Sequence, residues 1–173
     1  MVFSIVSSYG TLTNMAIILN KYRKYSAEDI DSLKEMISDF LDEMGEKSKD
    51  EVYGKLLKPN KQISLLRDDR EIVGFIVYKY QGDVVSITAL GVAKGHRRKG
   101  YGKSLMELFL NQMSLNRSIK SVKLGVMKSK VPAMALYEKI GFRTIFEGVE
   151  DGIAFKTMQL DLTGKKQYKP WVV

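Results

Sequence analysis

Asp83–Leu110, DVVSITALGVAKGHRRKGYGKSLMELFL, passes from an apolar strand through a basic, glycine-containing turn into an apolar helix without a break. Val84, Val85, Ile87, Thr88, Leu90 and Val92 are β-branched or aliphatic, and no charge follows Asp83, the pattern of a buried strand. Lys94, His96, Arg97, Arg98 and Lys99 then crowd positive charge before Gly100-Tyr101-Gly102. From Lys103, the apolar residues Leu105, Met106, Phe109, Leu110 and Met113 recur at helical spacing, so a helix is expected to begin inside the glycine turn.

The first four N–H groups of a helix lack internal partners and point outward at the positive end of its dipole. Glycines at 100 and 102 keep side chains away from that backbone, and Arg97, Arg98, Lys99 and Lys103 surround it with charge. A phosphate or pyrophosphate is the ligand such a turn predicts. Gly102-Lys103-Ser104 imitates the end of a nucleotide P-loop, but the glycine needed five positions earlier is Arg97. A dinucleotide-binding turn would want a glycine at 105, where Leu105 stands.

What fits is Arg97-x-x-Gly100-x-Gly102 preceded by Leu90-x-Val92 on a strand. This pattern resembles the acyl-CoA loop of the GNAT superfamily of N-acetyltransferases. A second block, Ala133-x-x-Leu136-Tyr137-Glu138-Lys139-Ile140-Gly141-Phe142, follows the strand Val122–Met127 and resembles the second conserved block of the same family. The resemblance spans about Ala16–Leu162. It implies an α/β (α+β) fold: a mixed, mostly antiparallel sheet of about seven strands, flanked by about four helices, with two central strands splayed apart.

The chain has 173 residues, 45% hydrophobic and 28% charged, as expected for one soluble globular domain. Residues 1–14 read as an N-terminal extension, 15–162 as the acetyltransferase-like domain and 163–173 as a tail. With no cysteine and one histidine, thiol nucleophiles, disulfides and a zinc site are not expected. No signal peptide or membrane span is read, so a cytoplasmic location is expected. The net charge of +8 raises nucleic acid as a partner, but five of the basic side chains lie between Lys94 and Lys103, where a CoA site wants them. A nucleic-acid partner is therefore not expected.

Along the chain, Met1–Asn14 reads as an edge strand (Val2–Val6), a contact segment or a disordered extension, and Ala16–Arg23 as the first strand of the domain. Ser26 is placed as N-cap of a helix running to Met44, with Ile30, Leu33, Met36, Ile37, Phe40 and Leu41 on its buried face. A second helix is expected over Asp50–Leu57. Asp42, Glu43, Glu46, Asp50 and Glu51 between the two are either a solvated face or an attractor for a cationic amine. Gln62–Arg67 and Glu71–Tyr80 form a hairpin through Asp68-Asp69, and a last hairpin turns at Asp151-Gly152.

The resemblance assigns roles residue by residue. Leu90, Gly91, Val92, Arg97, Arg98, Lys99, Gly100, Tyr101, Gly102, Lys103, Ala133 and Tyr137 are expected to bind acetyl-CoA as cosubstrate. The Leu90 backbone N–H is expected to polarise the acetyl carbonyl, Val92 to pair with the pantetheine amides, and Tyr137 to protonate the leaving thiolate. Tyr137 can equally pack in the core, since Ala133, Leu136 and Ile140 share its helical face. Many family members carry asparagine three residues before the alanine at 133; here it is Lys130. No acid lies between Ser86 and Val92, so no general base is assigned; Asp83, Ser86 and Thr88 are the nearby candidates, the last two as holders of a water.

An α-amine, with a pKa near 8, needs less help to lose its proton than an ammonium near 10. The acceptor stays open between a protein N-terminus and a small amine or polyamine. Where N-terminal acetyltransferases of the family commonly place a tyrosine pair, this chain has Gly148 and Val149. The competing reading is a non-catalytic acyl-CoA-binding or regulatory module. Monomer and homodimer both remain open, the tail with Trp171-Val172-Val173 being either loose or docked on a second subunit.

Overall fold

Val84–Val92 forms the expected strand, and the sheet builds outward from it on both sides. The computed structural model describes residues 3–5, 15–19, 26–43, 60–69 and 71–164. Among these are eight strands: β1 (Phe3–Ile5), β2 (Met15–Leu19), β3 (Gln62–Asp68), β4 (Glu71–Gln81), β5 (Val84–Val92), β6 (Ser121–Met127), β7 (Arg143–Glu150) and β8 (Ile153–Asp161). Three α-helices accompany them: α1 (Ala27–Glu43), α2 (Tyr101–Leu115) and α3 (Val131–Ile140). The strands make one sheet in the order β1-β2-β3-β4-β5-β6-β8-β7. Every neighbouring pair is antiparallel except β5 with β6, which α2 connects as a parallel crossover.

The class is the expected mixed, mostly antiparallel sheet; the strand beyond the seven of the family resemblance is the edge strand read at Val2–Val6, of which Phe3–Ile5 pairs with Met15–Ile17. The helix expected over Asp50–Leu57 lies outside the described residues, as do Met44, Glu46, Asp50, Glu51 and the tail from Lys165.

Local chemistry explains the element ends. Ser26 Oγ accepts the Asp29 N–H at 3.1 Å while Asp29 Oδ2 faces the Ser26 N–H at 3.4 Å, a reciprocal cap for α1. Asp151 and Gly152 both take positive φ (50° and 79°), the tight hairpin turn whose twist matches its strands. Gly141 ends α3 at φ 112°, and its N–H and that of Phe142 bond back to the Tyr137 carbonyl.

Two cores sandwich the sheet. On one face α1 contributes Leu33, Met36, Ile37 and Leu41 against Leu65, Ile72, Phe75, Val77 and Ala89. Ile30, expected on that face, is instead 39% exposed. On the other face α2 and α3 cover Ile76, Val85, Ile87, Val122, Leu124, Val126, Met158 and Leu160. Tyr101, Leu105, Met106, Phe109, Leu110 and Met113 of α2 are buried there. At about 2 kcal/mol each, these six side chains outweigh the roughly 1 kcal/mol that α2 forgoes by having no side-chain cap.

β5 changes character halfway along. Val84–Ile87 pair with Ser121–Leu124 of β6, and beyond Ile87 the β6 partnership stops although both strands continue. At the same point the β4–β5 register skips Thr88, which bulges out between the Val77–Ala89 and Tyr78–Ile87 pairs. The extra residue exchanges the faces, so Val85 and Ile87 meet the α2 core, as do the half-buried Leu90 and Val92, while Ala89 meets α1.

Candidate active site

The alternation of ladder hydrogen bonds fixes which backbone groups the splay exposes. Ala93 N–H donates to the Val73 carbonyl, so Ala93 and Val73 form a hydrogen-bonded pair. By alternation Gly91 with Phe75 and Ala89 with Val77 are bonded pairs too, and the polar groups of Leu90 and Val92 turn away from β4. Arg97 Nε donates to the Val92 carbonyl at 2.9 Å from that free side, in agreement. On β6, Lys128 N–H bonds to Ala154 and the Lys120 carbonyl accepts from Leu162, so the even residues face β8 and Gly125 and Met127 face the gap. The opening is therefore edged by Leu90 and Val92 on one strand and by Gly125 and Met127 on the other.

The glycine turn sits at the mouth of this opening. Gly100 is the N-cap of α2 with φ 89°, a conformation that favours glycine, and makes no side-chain cap. A Cβ at Gly102 would lie 3.7 Å from Val92 Cγ2 and 3.9 Å from Leu136 Cδ2, so the turn is wedged between the free end of β5 and α3. A Cβ at Gly100 would meet no atom within 4 Å. Neither glycine is forced by crowding, and the first turn of α2 has no side-chain cap on its N–H groups, a start that suits a pyrophosphate.

The basic side chains divide. Arg98, at φ 62°, Lys99 and Lys103 are exposed beside the turn, with Lys103 3.7 Å from Glu107. Arg97 is half-buried and tethered to Val92, so the Val92 carbonyl is already engaged and its N–H is the group left for a ligand. Lys94, counted from the sequence among the charges a CoA site would use, pairs instead with Asp39 of α1 at 2.6 Å.

Two expected site residues have packing reasons of their own. Gly91 lacks a side chain because a Cβ there would come within 2.4 Å of the Phe75 ring, and its peptide belongs to the β4 ladder. Tyr101 is turned into the core, where its hydroxyl donates to Asp68 at the end of β3. That bond, with burial second, pushes its pKa up to about 12. The first residue of α2 is thus clasped to the β3–β4 hairpin, and His96 adds an edge contact to its ring (5.5 Å) and stands 3.5 Å from Glu71. Nothing in the sequence around Asp68 announced this clasp.

Tyr137 lies on the inner face of α3, 8% exposed, its ring 5.9 Å from that of Phe142. Burial pushes its pKa up to about 12. Its hydroxyl makes no hydrogen bond among the described residues, where the fully buried, partnerless side-chain polar atoms are Ser64 Oγ and Asn111 Oδ1 alone. The Tyr137 oxygen therefore keeps a path to the outside. Ala133, on the first turn of α3, is half-buried against the same core. Asp83, Ser86 and Thr88 lie on or just before β5, Asp83 and Thr88 exposed and Ser86 half-buried, so none is an enclosed carboxylate base.

Residues 30–142 match the acetyltransferase (GNAT) family. The chain belongs to that family. A streptothricin acetyltransferase of Escherichia coli is 37% identical over 75 residues, covering 43% of this chain and 42% of that protein. The chain spans about half the length of the curated relatives it matches. Among solved structures, the ribosomal-protein-S18-alanine N-acetyltransferase of Escherichia coli superposes with a TM-score of 0.67 at 16% identity, covering 87% of this chain and 97% of that one. The spermidine N-acetyltransferase of Vibrio cholerae, in complex with CoA and spermine, gives 0.68 at 18% identity, covering 88% and 97%. At these identities the likeness is one of fold. No described helix is long and apolar enough to cross a membrane.

Proposed function

We propose that this GNAT-family chain moves an acetyl group from acetyl-CoA to a primary amine by direct attack within a ternary complex. The observation that carries the reading is the free edge of β5 at Leu90 and Val92, opening beside the uncapped N-terminus of α2. Bound acetyl-CoA supplies the activated thioester carbon. The N–H groups of the first turn of α2, with Arg98, Lys99 and Lys103, hold its pyrophosphate, and the Val92 N–H pairs with the pantetheine arm as a further strand would.

The Leu90 N–H points into the gap and stabilises the negative charge that develops on the acetyl oxygen as the amine attacks. A carbon–nitrogen bond forms, the carbon–sulfur bond breaks, and the attacking amine releases its proton to water. Tyr137 is protonated at any physiological pH and offers a hydrogen bond to the departing sulfur. Full proton transfer from a hydroxyl of pKa about 12 to a thiolate of ordinary basicity is uphill by about 5 kcal/mol. Tyr137 therefore acts chiefly as a hydrogen-bond donor, and solvent completes the protonation. With no acid on β5 from Val84 to Val92, the acceptor reaches the site as free amine, which favours an amine of low pKa.

The test is calorimetric titration of acetyl-CoA, followed by an acetyl-transfer assay over a panel of primary amines. Micromolar binding together with turnover supports the enzyme. Binding without turnover on any amine supports a regulatory acyl-CoA-binding module, and absence of binding by folded protein removes both.

A further inference from the structure

The face of the sheet turned toward α1 carries an aromatic pair that the transfer chemistry leaves unused. Val122, Leu124, Val126, Met158 and Leu160 are buried against α2 and α3, so the residues alternating with them face the other way. Register then places Gly125, Thr157 and Phe146 in one row across β6, β8 and β7, and Met127, Phe155 and Gly148 in the next. The α1 core rests on β3, β4 and β5 and includes no residue of these three strands.

Phe146 and Phe155 lie with ring centroids 5.9 Å apart at 45°. A Cβ at Gly148 would come 2.8 Å from Phe146 Cε1 and 3.0 Å from Phe155 Cζ, so the rings close over the glycine and a side chain there would push them apart. Phe146 is nonetheless 56% exposed. Between this shelf and the opening lies Gly125, where a Cβ would meet nothing within 4 Å, so the floor is clear. Phe146 stands two strands from Gly125, about 10 Å away.

We propose that Phe146 and Phe155, seated over Gly148, form the acceptor subsite and select a primary amine with an apolar or aromatic body long enough to reach across Gly125 onto the two rings. The proposal rests on the acetyltransferase reading and names its substrate class. An amine placed at the Leu90 edge extends its substituent across Gly125 onto the two rings. A second ammonium placed on the shelf meets phenyl faces. Glu147, on β7 between Phe146 and Gly148, points to the opposite face, where Lys128 and Lys156 engage it. Glu150, at the hairpin end, is the carboxylate that β7 presents on the shelf side. Covering a phenyl group with two rings outweighs an exposed cation–π contact.

The experiment saturates the protein with CoA and titrates 6-phenylhexylamine and spermidine by calorimetry. Wild type is expected to bind 6-phenylhexylamine at least about tenfold more tightly than spermidine. Phe146→Ala and Phe155→Ala are each expected to reduce that preference to about threefold or less while leaving the acetyl-CoA affinity unchanged. Spermidine binding as well as or better than the aryl amine, or both variants retaining the wild-type preference with intact acetyl-CoA binding, overturns the proposal. A wild type that binds no acetyl-CoA overturns the acetyltransferase reading along with it, a failure seen before any amine is added.

Discussion

The two halves of β5 share one strand and one composition but have opposite duties. Val84–Ile87 are paired on both sides, and Val85 and Ile87 are buried. Leu90–Val92 are paired with β4 alone, and their free edge faces Gly125 and Met127 across the gap. The difference arises from one skipped residue, Thr88, and from the departure of β6 beyond Leu124. A strand completed on both sides stabilises the fold; the same strand left incomplete offers an extended ligand a ladder to join. Substitutions at the closed end should therefore change stability and spare binding, and those around the open end should do the reverse.

The largest effect is expected at the mouth of the open end. Gly102→Glu has room for its first side-chain atom and sets a carboxylate against the pyrophosphate, so acetyl-CoA affinity should fall at least about a hundredfold with the melting temperature nearly unchanged. At the closed end, Ile87→Ala should cost about 3 kcal/mol in denaturant unfolding while the folded protein keeps its acetyl-CoA affinity. A loss of binding in proportion to stability would erase the distinction between the halves.

Tyr137→Phe removes a hydroxyl with no hydrogen-bond partner among the described residues, so kcat should drop about thirtyfold to a hundredfold with little change in stability. An unchanged kcat would assign Tyr137 to packing. Tyr101→Phe breaks the clasp to Asp68, and the KM for acetyl-CoA should rise a few-fold to tenfold while the KM for the amine stays put.

The smallest effect is alkaline. The hydroxyls of Tyr101 and Tyr137 titrate near 10 in the unfolded chain and at about 12 when folded. Their contribution to stability is complete below pH 10 and is lost as the pH rises toward 12. Equilibrium unfolding in that window, compared with the Tyr137→Phe variant, reads it directly.

Much of this organisation was legible in the sequence, because its signals are local. Alternating apolar residues marked β5, and paired glycines after a basic run marked the start of α2. Ser26 with Asp29 marked the cap of α1, and Asp151-Gly152 the last turn. What escaped depends on which strands lie beside one another. The partners of Lys94 and Tyr101, Asp39 and Asp68, lie 55 and 33 positions away. The bulge at Thr88 and the shelf over Gly148 exist only once register is set. Gly125, inside a strand that otherwise reads continuously, was the one available hint of an open neighbour.

The most direct test of the central claim is residue-resolved amide hydrogen exchange by NMR, with and without acetyl-CoA. The Leu90 and Val92 amides should exchange rapidly in the free protein and become protected when acetyl-CoA is added, whereas Gly91, bonded to β4, should be protected throughout. Protection of Leu90 and Val92 in the free protein, or indifference of both amides to saturating acetyl-CoA, would contradict the account.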